Sequence, residues 1–398
     1  MRKKTELNFD LIIAGAGPAG LVAALLIAAS GAKIAVLEQA KRQASAPTND
    51  NRTAALLGPA VKILASIGID ADNLAGTAPL RRLSLVDLGH GPSARPTTVD
   101  FAASEINQPY FALNIAQGPL MAALLKQVLR TPTITLIDQC TITALKIGPA
   151  LATLDTTRGL FTAPLVVGAD GKQSPIRRLS GIETVVNDYH QTALTTMVTI
   201  TKPHHDTSIE FHRPGGPFTL VPMAGKQASI VWLEPTERAR AILAQSEAAR
   251  TKLCQDQSHN RLGTITPIGP WQSWDLSWTR ATSLIAPRVA LMAEAAHALP
   301  PSGAQGLNLS LQDAATLAPL LIKARRLGLD MGSLTILADY ARARGPIIAA
   351  KSRAVDGLNR LILAEHAGVR RLRRYGLVMA ASLPPLRQSL MRFGWRAG

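Results

Sequence analysis

Gly15, Gly17 and Gly20 stand between an apolar run from Phe9 to Ala14 and a second from Leu21 to Ala28, and nothing else in the 398 residues restricts the fold as tightly. In the stretch Gly15-Ala16-Gly17-Pro18-Ala19-Gly20 each glycine has its own task. Gly15 makes the tight turn out of a strand, Gly17 lets backbone approach a pyrophosphate, and Gly20 lets the following helix pack closely on the strand. The helix start then offers unpaired N–H groups and the positive end of its dipole to phosphate. A second strand, Lys33 to Leu37, ends at Glu38, 18 residues after Gly20, with Gln39 beside it. A carboxylate at that spacing accepts from ribose hydroxyls. Strand, helix, strand and acid in this order predict a βαβ unit that binds a dinucleotide.

Residues 11 to 37 are almost wholly apolar and follow Arg2, Lys3 and Lys4, so hydropathy alone would suggest a leader or a membrane span. The three glycines and Pro18 break the run where a spanning helix needs continuity, and no transmembrane segment is expected. An apolar content of 47% supports a large core. The two cysteines, Cys140 and Cys254, have neither disulfide nor metal spacing, and the eight histidines are scattered, so no metal site is expected. The compartment read from this is cytoplasmic.

Net charge is +16, and the excess is concentrated: from Ala341 onward 12 Lys and Arg face two acids. Nucleic acid is excluded as a partner because no zinc finger, recognition helix or aromatic RNA-binding motif accompanies the charge. A solvated helical face and a contact with anionic lipid or a partner protein both fit it. Arg370-Arg371-Leu372-Arg373-Arg374, followed by apolar residues from Leu377 to Trp395, suits peripheral contact at the inner membrane face. Pro384 and Pro385 are expected to split that tail into two short helices.

Apolar residues at 56, 57, 61, 64 and 67 predict a helix from Asn51 to Ile69, and Gln117 to Leu129 reads as another. Strands are expected at 133–137, 141–147 and 151–156, and Val166 to Asp170 leads back toward the first unit. From Gln191 to Pro235 the texture changes to short strands between Pro and Gly turns: Ala193–Ile200, Ser208–Phe211, Phe218–Pro222 and Ser229–Leu233. Ile285 to Ala293 returns as a buried strand, and helix dominates from Gly306 onward. The fold class is α/β: a discontinuous Rossmann-like nucleotide domain (1–80, 100–185 and 280–340), an antiparallel-sheet substrate domain (81–99 and 186–279) and a helical C-terminal region (341–398). Phe218, Leu220 and Trp232 suit an apolar substrate pocket, while Tyr189 and His190 read as structural.

The segment Val166-Val167-Gly168-Ala169-Asp170-Gly171 through Arg177 resembles the Asp-Gly motif of group A FAD-dependent aromatic monooxygenases, the para-hydroxybenzoate hydroxylase class. Glu294 through Ala314, with His297 and Pro300-Pro301-Ser302-Gly303-Ala304-Gln305-Gly306-Leu307-Asn308, is similar to the second flavin motif of that class. Asn51-Arg52, Gly216-Pro217, Tyr340, Arg344, Asp356 through Leu361 and Arg374 through Leu377 resemble the ubiquinone-biosynthesis hydroxylase branch, so the likeness covers essentially the whole chain. It implies FAD held by the first glycine motif, by Glu38 and Gln39, by Arg52 and Gln117 at the phosphate and ribityl side, and by Asp170 near the pyrophosphate. Glu294 would face the ribityl chain, and Pro301, Gly303, Ala304, Gln305, Gly306, Leu307 and Asn308 the isoalloxazine. Independently of the family, a Pro/Gly loop entering a helix near Gly306 aims N–H groups and a dipole at a ring edge that becomes anionic on reduction.

The implied activity is hydroxylation of the ring of a polyprenylated phenol in ubiquinone biosynthesis through a flavin C4a-hydroperoxide. The co-substrate is O2, and the electron donor is NAD(P)H or a reduced ferredoxin. No residue is singled out as the catalytic base. Where the class reads Gly-Asp this chain has Ala293-Glu294, and Ala304 and Ser310 replace usual glycines. These departures motivate an alternative: a weakly active or non-catalytic FAD-binding paralogue that serves as a subunit of a biosynthetic assembly. A monooxygenase of another aromatic substrate is a third reading.

Overall fold

The computed structural model describes residues 6–41, 52–88, 96–300 and 305–363, and of the remainder 368, 375, 376, 379 and 382–395. The expected βαβ unit forms from Leu11–Ala14, helix Pro18–Ala28 and Ile34–Leu37. These strands sit inside a six-stranded sheet ordered Ile285–Ala286, Val289–Leu291, Val166–Gly168, Leu11–Ala14, Ile34–Leu37, Ile134–Ile137, parallel except at the first pair. Both central strands are buried along their whole length, which explains why they read as unbroken apolar runs rather than alternating ones. The glycine-led helix is apolar all round, with eight of its eleven residues buried. It is packed against the helices Gln117–Leu129 and Gln305–Arg326 as well as its own sheet.

The segment expected to be helical from Asn51 to Ile69 divides. Thr53–Leu57 is a strand paired antiparallel with Ala112–Ala116, and the helix covers only Gly58–Ser66, with a proline in its first turn. The periodic apolar residues at 61, 64 and 67 belong to the helix and its end. Leu56 and Leu57 satisfy the same spacing by accident, because partner strand Ala112–Ala116 lies far away in sequence and no local signal reports it.

The second unit is a long sheet ordered His297–Ala298, Gln272–Ala281, Thr184–Ile200, Gln227–Pro235, Phe218–Met223, Thr207–His212, Arg82–Asp87, Thr97–Ala102. Neighbours are antiparallel apart from Thr207–His212 on Arg82–Asp87. The strand expected from Ala193 begins at Thr184, and it absorbs a register shift between Asp188 and Gln191 where His190 takes φ +52°. Thr97–Ala102 runs across the expected domain boundary at residue 99. One sheet face buries Phe211, Phe218, Leu220 and Trp232 with Ala239, Ile242 and Cys254 from two covering helices. The other face looks toward the nucleotide unit.

Beyond residue 363, Ser382 is helical, Leu383 is not, and Pro384 and Pro385 open a separate helix, Pro384–Trp395, since the first helical turn needs no proline N–H. Arg387 holds it to Glu105 at 2.5 Å and lies 4.8 Å over the Phe101 ring, and Met391 is buried beside Val99 and Ile106. Leu386 and Leu390 on the same helix, and Leu383 just before it, are exposed. The basic cluster Arg370, Arg371, Arg373 and Arg374 lies outside the described residues. Among the described residues no helix is long and apolar enough to cross a membrane, and no cluster of ligands could hold a metal.

Candidate functional site

A cavity of about 870 Å³ lies between the nucleotide unit and the open face of the long sheet. Its first wall starts at the glycine turn. Gly15 has φ +102°, and a Cβ there would stand 2.3 Å from the Ala169 carbonyl oxygen; one on Gly20 would stand 2.1 Å from the Gly15 oxygen. These two glycines allow the two motif-bearing turns and the helix to touch. Gly17 differs: its φ is −73° and an added Cβ meets nothing within 4 Å, so a side chain there would project into the cavity. The helix that follows has no side-chain cap and no acid in its first turn, which leaves its N–H groups facing the same space.

Glu38 lines this end, with Oε2 accepting from Ala16 N and Oε1 from Ala40 N, both at 2.9 Å. Asp170 lines it from the opposite turn, and its Oδ2 accepts from Ile176 N at 2.9 Å. Its Oδ1 is buried with no hydrogen-bond partner among the described residues, and burial pushes the carboxyl above the usual carboxylate range. A buried, unpartnered carboxylate oxygen costs about 1–3 kcal/mol, so its persistence beside an open cradle marks a place for a ligand that donates to it. A space left by glycine, free helix-start amides and this orphaned oxygen together fit a dinucleotide with hydroxyls next to its phosphates.

Of the residues the motifs nominate, Gly15, Gly17, Pro18, Ala19, Glu38, Gln39, Arg52, Gln117, Asp170, Glu294, Gly306 and Leu307 all reach the cavity wall. Arg52 and Gln117 are brought together by a bond from the Gln117 amide to the Arg52 carbonyl, and the Arg52 guanidinium lies 4.8 Å over the Trp274 ring. Four others stand behind the wall. Ala16 is buried and contributes its amide to Glu38, Gly20 packs on Gly15, and Gln305 is buried at the start of its helix. Asn308 is a strap: its Oδ1 accepts from Leu57 N and its Nδ2 donates to Ala55 O, each at 2.8 Å, tying the late helix to the Thr53–Leu57 strand. Pro301, Gly303 and Ala304 lie outside the described residues.

The substrate-side expectation needs correcting. Phe218, Leu220 and Trp232 point to the far face of the sheet, under the two covering helices, and line none of the cavity. Successive strand residues alternate faces, so their neighbours Pro217, Thr219, Val221, Val231 and Leu233 form the cavity wall instead. Leu83, Leu85 and Phe111 extend this apolar surface, and Leu358 and Ile362 of the helix Leu334–Leu363 close one side. Tyr189, read as structural, donates to Asp356 Oδ1 at 2.7 Å and ties that helix to the sheet; burial first, then Asp356, raises its pKa.

Behind the Ala293-Glu294 turn is a buried ionic hub. Asp313 Oδ2 accepts from Ala293 N at 3.0 Å and lies 2.6 Å from His297 Nε2, while its Oδ1 accepts from Arg344 Nε at 2.8 Å. Tyr340 donates to Leu291 O beside it. Burial alone would push the Asp313 carboxyl up; His297 and then Arg344 outweigh it and hold it below the usual range. The hub fixes Ala293 at φ +55°, a conformation that favours glycine, and so explains why the class has glycine here. His297, Asp313, Tyr340 and Arg344 were all visible as motif residues, but their mutual contact depends on two helices crossing and had no local signature. Ser310, at another glycine position, donates back to Gly306 O at 2.8 Å and still lines the cavity.

Fold and site together define an α/β protein of dinucleotide-binding type whose cavity lies against an antiparallel sheet. The FAD binding domain family matches residues 8–354, and the chain belongs to that family. A ubiquinone hydroxylase, UbiL, from Rhodospirillum rubrum is 31% identical over 96% of this chain and 88% of its own. The 3-demethoxyubiquinol 3-hydroxylase of Escherichia coli is 27% identical over 85% of this chain and 86% of its own. Among solved structures, p-nitrophenol 4-monooxygenase PnpA from Pseudomonas putida superimposes with a TM-score of 0.79 at 19% identity, covering 99% of both chains.

Proposed function

We propose that this protein is an FAD-dependent monooxygenase that hydroxylates the aromatic ring of a polyprenylated phenol in ubiquinone biosynthesis. The observation that carries the reading is one cavity with two unlike walls: glycine turn, helix-start amides and carboxylates on one side, an apolar sheet face on the other. The names borne by the Rhodospirillum and Escherichia relatives support the choice of substrate class. FAD would be held by the backbone at Gly15 to Ala19, by Glu38 at the ribose, by Asp170, and by Arg52, Gln117 and Glu294 further along. When bound and reduced by NAD(P)H or a reduced ferredoxin, it supplies the activation of O2.

The chain's own residues do the rest. Thr219, Val221, Val231 and Leu233 exclude water from the reacting ring and favour an apolar ligand. Leu358 lines the cavity yet is 45% exposed, so the cavity reaches the surface beside an apolar residue. That is the exit a long isoprenoid tail requires, and the exposed leucines of the Pro384–Trp395 helix would suit contact with a membrane or with partner proteins of the same biosynthesis. The glycine-to-alanine exchange at Ala293 favours a second reading, a weakly active FAD-binding subunit, because the strained turn sits at the cavity wall.

Purified protein should be yellow and release FAD in acid. With NAD(P)H or reduced ferredoxin it should convert 2-farnesylphenol to a dihydroxylated product. Flavin without product would favour the subunit reading, and absence of FAD after reconstitution would end both.

A further inference from the structure

The strand Thr207–His212 carries three polar residues, Ser208, Glu210 and His212, into a mostly apolar wall. In register, Glu210 stands between Leu85 and Thr219, with Val231 next in the row. His212 Nε2 lies 2.7 Å from Glu210 Oε1, and the His212 side chain is only 5% exposed. His212 Nδ1 is buried with no hydrogen-bond partner among the described residues. A buried imidazole with an unpartnered nitrogen, paired to a partly buried acid on an apolar face, costs stability with no structural return.

The cavity's other carboxylates are already assigned: Glu38 and Asp170 at the glycine turns, Glu294 on the turn held by Asp313. Its other histidine, His297, is committed to Asp313. Among the carboxylates of the described residues, only Glu210 lines the cavity from the sheet side.

Building on the function proposed above, we propose that Glu210 is the proton acceptor for the substrate's phenolic hydroxyl, and that His212 is a positioning residue that orients its carboxylate. The hydroxyl donates to Glu210 in the resting complex. As the new C–O bond forms, the ring's electron pair attacks one oxygen derived from O2 and the O–O bond breaks. The second oxygen leaves as water, with its two electrons supplied by the reduced cofactor and its protons by solvent, and the phenolic O–H becomes strongly acidic. Its proton passes to Glu210, and the O–H electron pair becomes the carbonyl of a cyclohexadienone. The ring C–H proton then leaves to solvent, Glu210 returns its proton to the carbonyl oxygen, and aromaticity is restored. A carboxylate is a weak base toward a resting phenol but a competent one toward that transition state.

The test is a single turnover of dithionite-reduced holoenzyme with 2-farnesylphenol and O2, reading hydroxylated product, hydrogen peroxide, FAD content and probe affinity. Glu210→Gln should keep FAD, bind the probe within about threefold of wild type, and yield about 100-fold less product with peroxide in its place. His212→Gln should lose less, and the double variant no more than Glu210→Gln alone. Should Glu210→Gln fold poorly, wild type suffices: on saturating 2-farnesylanisole, which has no phenolic proton, its yield should fall about as far. Product from Glu210→Gln within threefold of wild type overturns the inference, as does equal turnover of phenol and anisole by wild type, or a loss explained wholly by probe affinity. No product from wild type would instead overturn the proposed function, and this inference with it.

Discussion

Asp313→Asn is the substitution by which the buried hub can be weighed. The change conserves volume and removes one charge from a group with no exposure, which accepts from Ala293 N and Arg344 Nε and pairs with His297. Arg344 is itself 2% exposed and would be left as a buried cation without its counter-ion. Breaking a buried ion pair from one side costs about 3–5 kcal/mol. Against a domain stability of about 5–15 kcal/mol, that is a fifth or more of the total. Urea unfolding of the apoprotein at neutral pH should show the loss, and replacing the pair together, Asp313→Leu with Arg344→Met, should recover much of it. The pH dependence has a definite sign. The folded carboxyl titrates below its unfolded value of about 3.9, so its contribution is complete above that value and disappears as pH falls through the folded pKa. Asp313→Asn should flatten stability in that acid window. A loss below about 1 kcal/mol would refute the view that the hub is a strongly coupled buried network.

Three further outcomes follow from the site. Gly20→Ala should fail to accumulate as folded protein, because its Cβ would stand 2.1 Å from the Gly15 oxygen, whereas Gly17→Ala should fold normally and lose FAD affinity; thermal melting and flavin titration separate the two. Ala293→Gly should raise stability by about 1 kcal/mol by relieving a left-handed alanine, read as a shift in the urea midpoint. Asp170→Asn should stabilise the apoprotein near neutral pH and weaken FAD binding. Its carboxyl is raised by burial, so its ionised form disfavours folding above the folded pKa and that penalty vanishes below the unfolded one; unfolding curves with and without FAD check both halves.

The nucleotide half was legible because its signals are local. Gly15, Gly17, Gly20 and Glu38 act within one βαβ unit, and a turn, a helix start and a strand end fix their positions whatever the rest of the chain does. Recognition of the late motif likewise needed only contiguous residues. What stayed hidden depended on distant partners. Thr53–Leu57 is a strand only because Ala112–Ala116 pairs with it. Asn308 is a strap only because Leu57 and Ala55 lie within its reach. The pocket residues were misplaced by one for a different reason. Strand alternation gives two faces, and Phe218, Leu220 and Trp232 have the bulk expected of a pocket. The helices Thr236–Leu243 and Glu247–Gln257 claim that bulk for the core, which leaves the smaller Thr219, Val221 and Val231 to shape the site. Glu210 and His212 were overlooked because only the register between strands turns them into the cavity.

The most direct measurement is a single turnover of the reduced holoenzyme with 2-farnesylphenol under 18O2, followed by mass spectrometry of the product. The account predicts one labelled oxygen atom on the ring for each product molecule, formed in proportion to bound FAD. A hydroxylated product that carries oxygen from water, or stoichiometric peroxide with an unchanged ring, would contradict it.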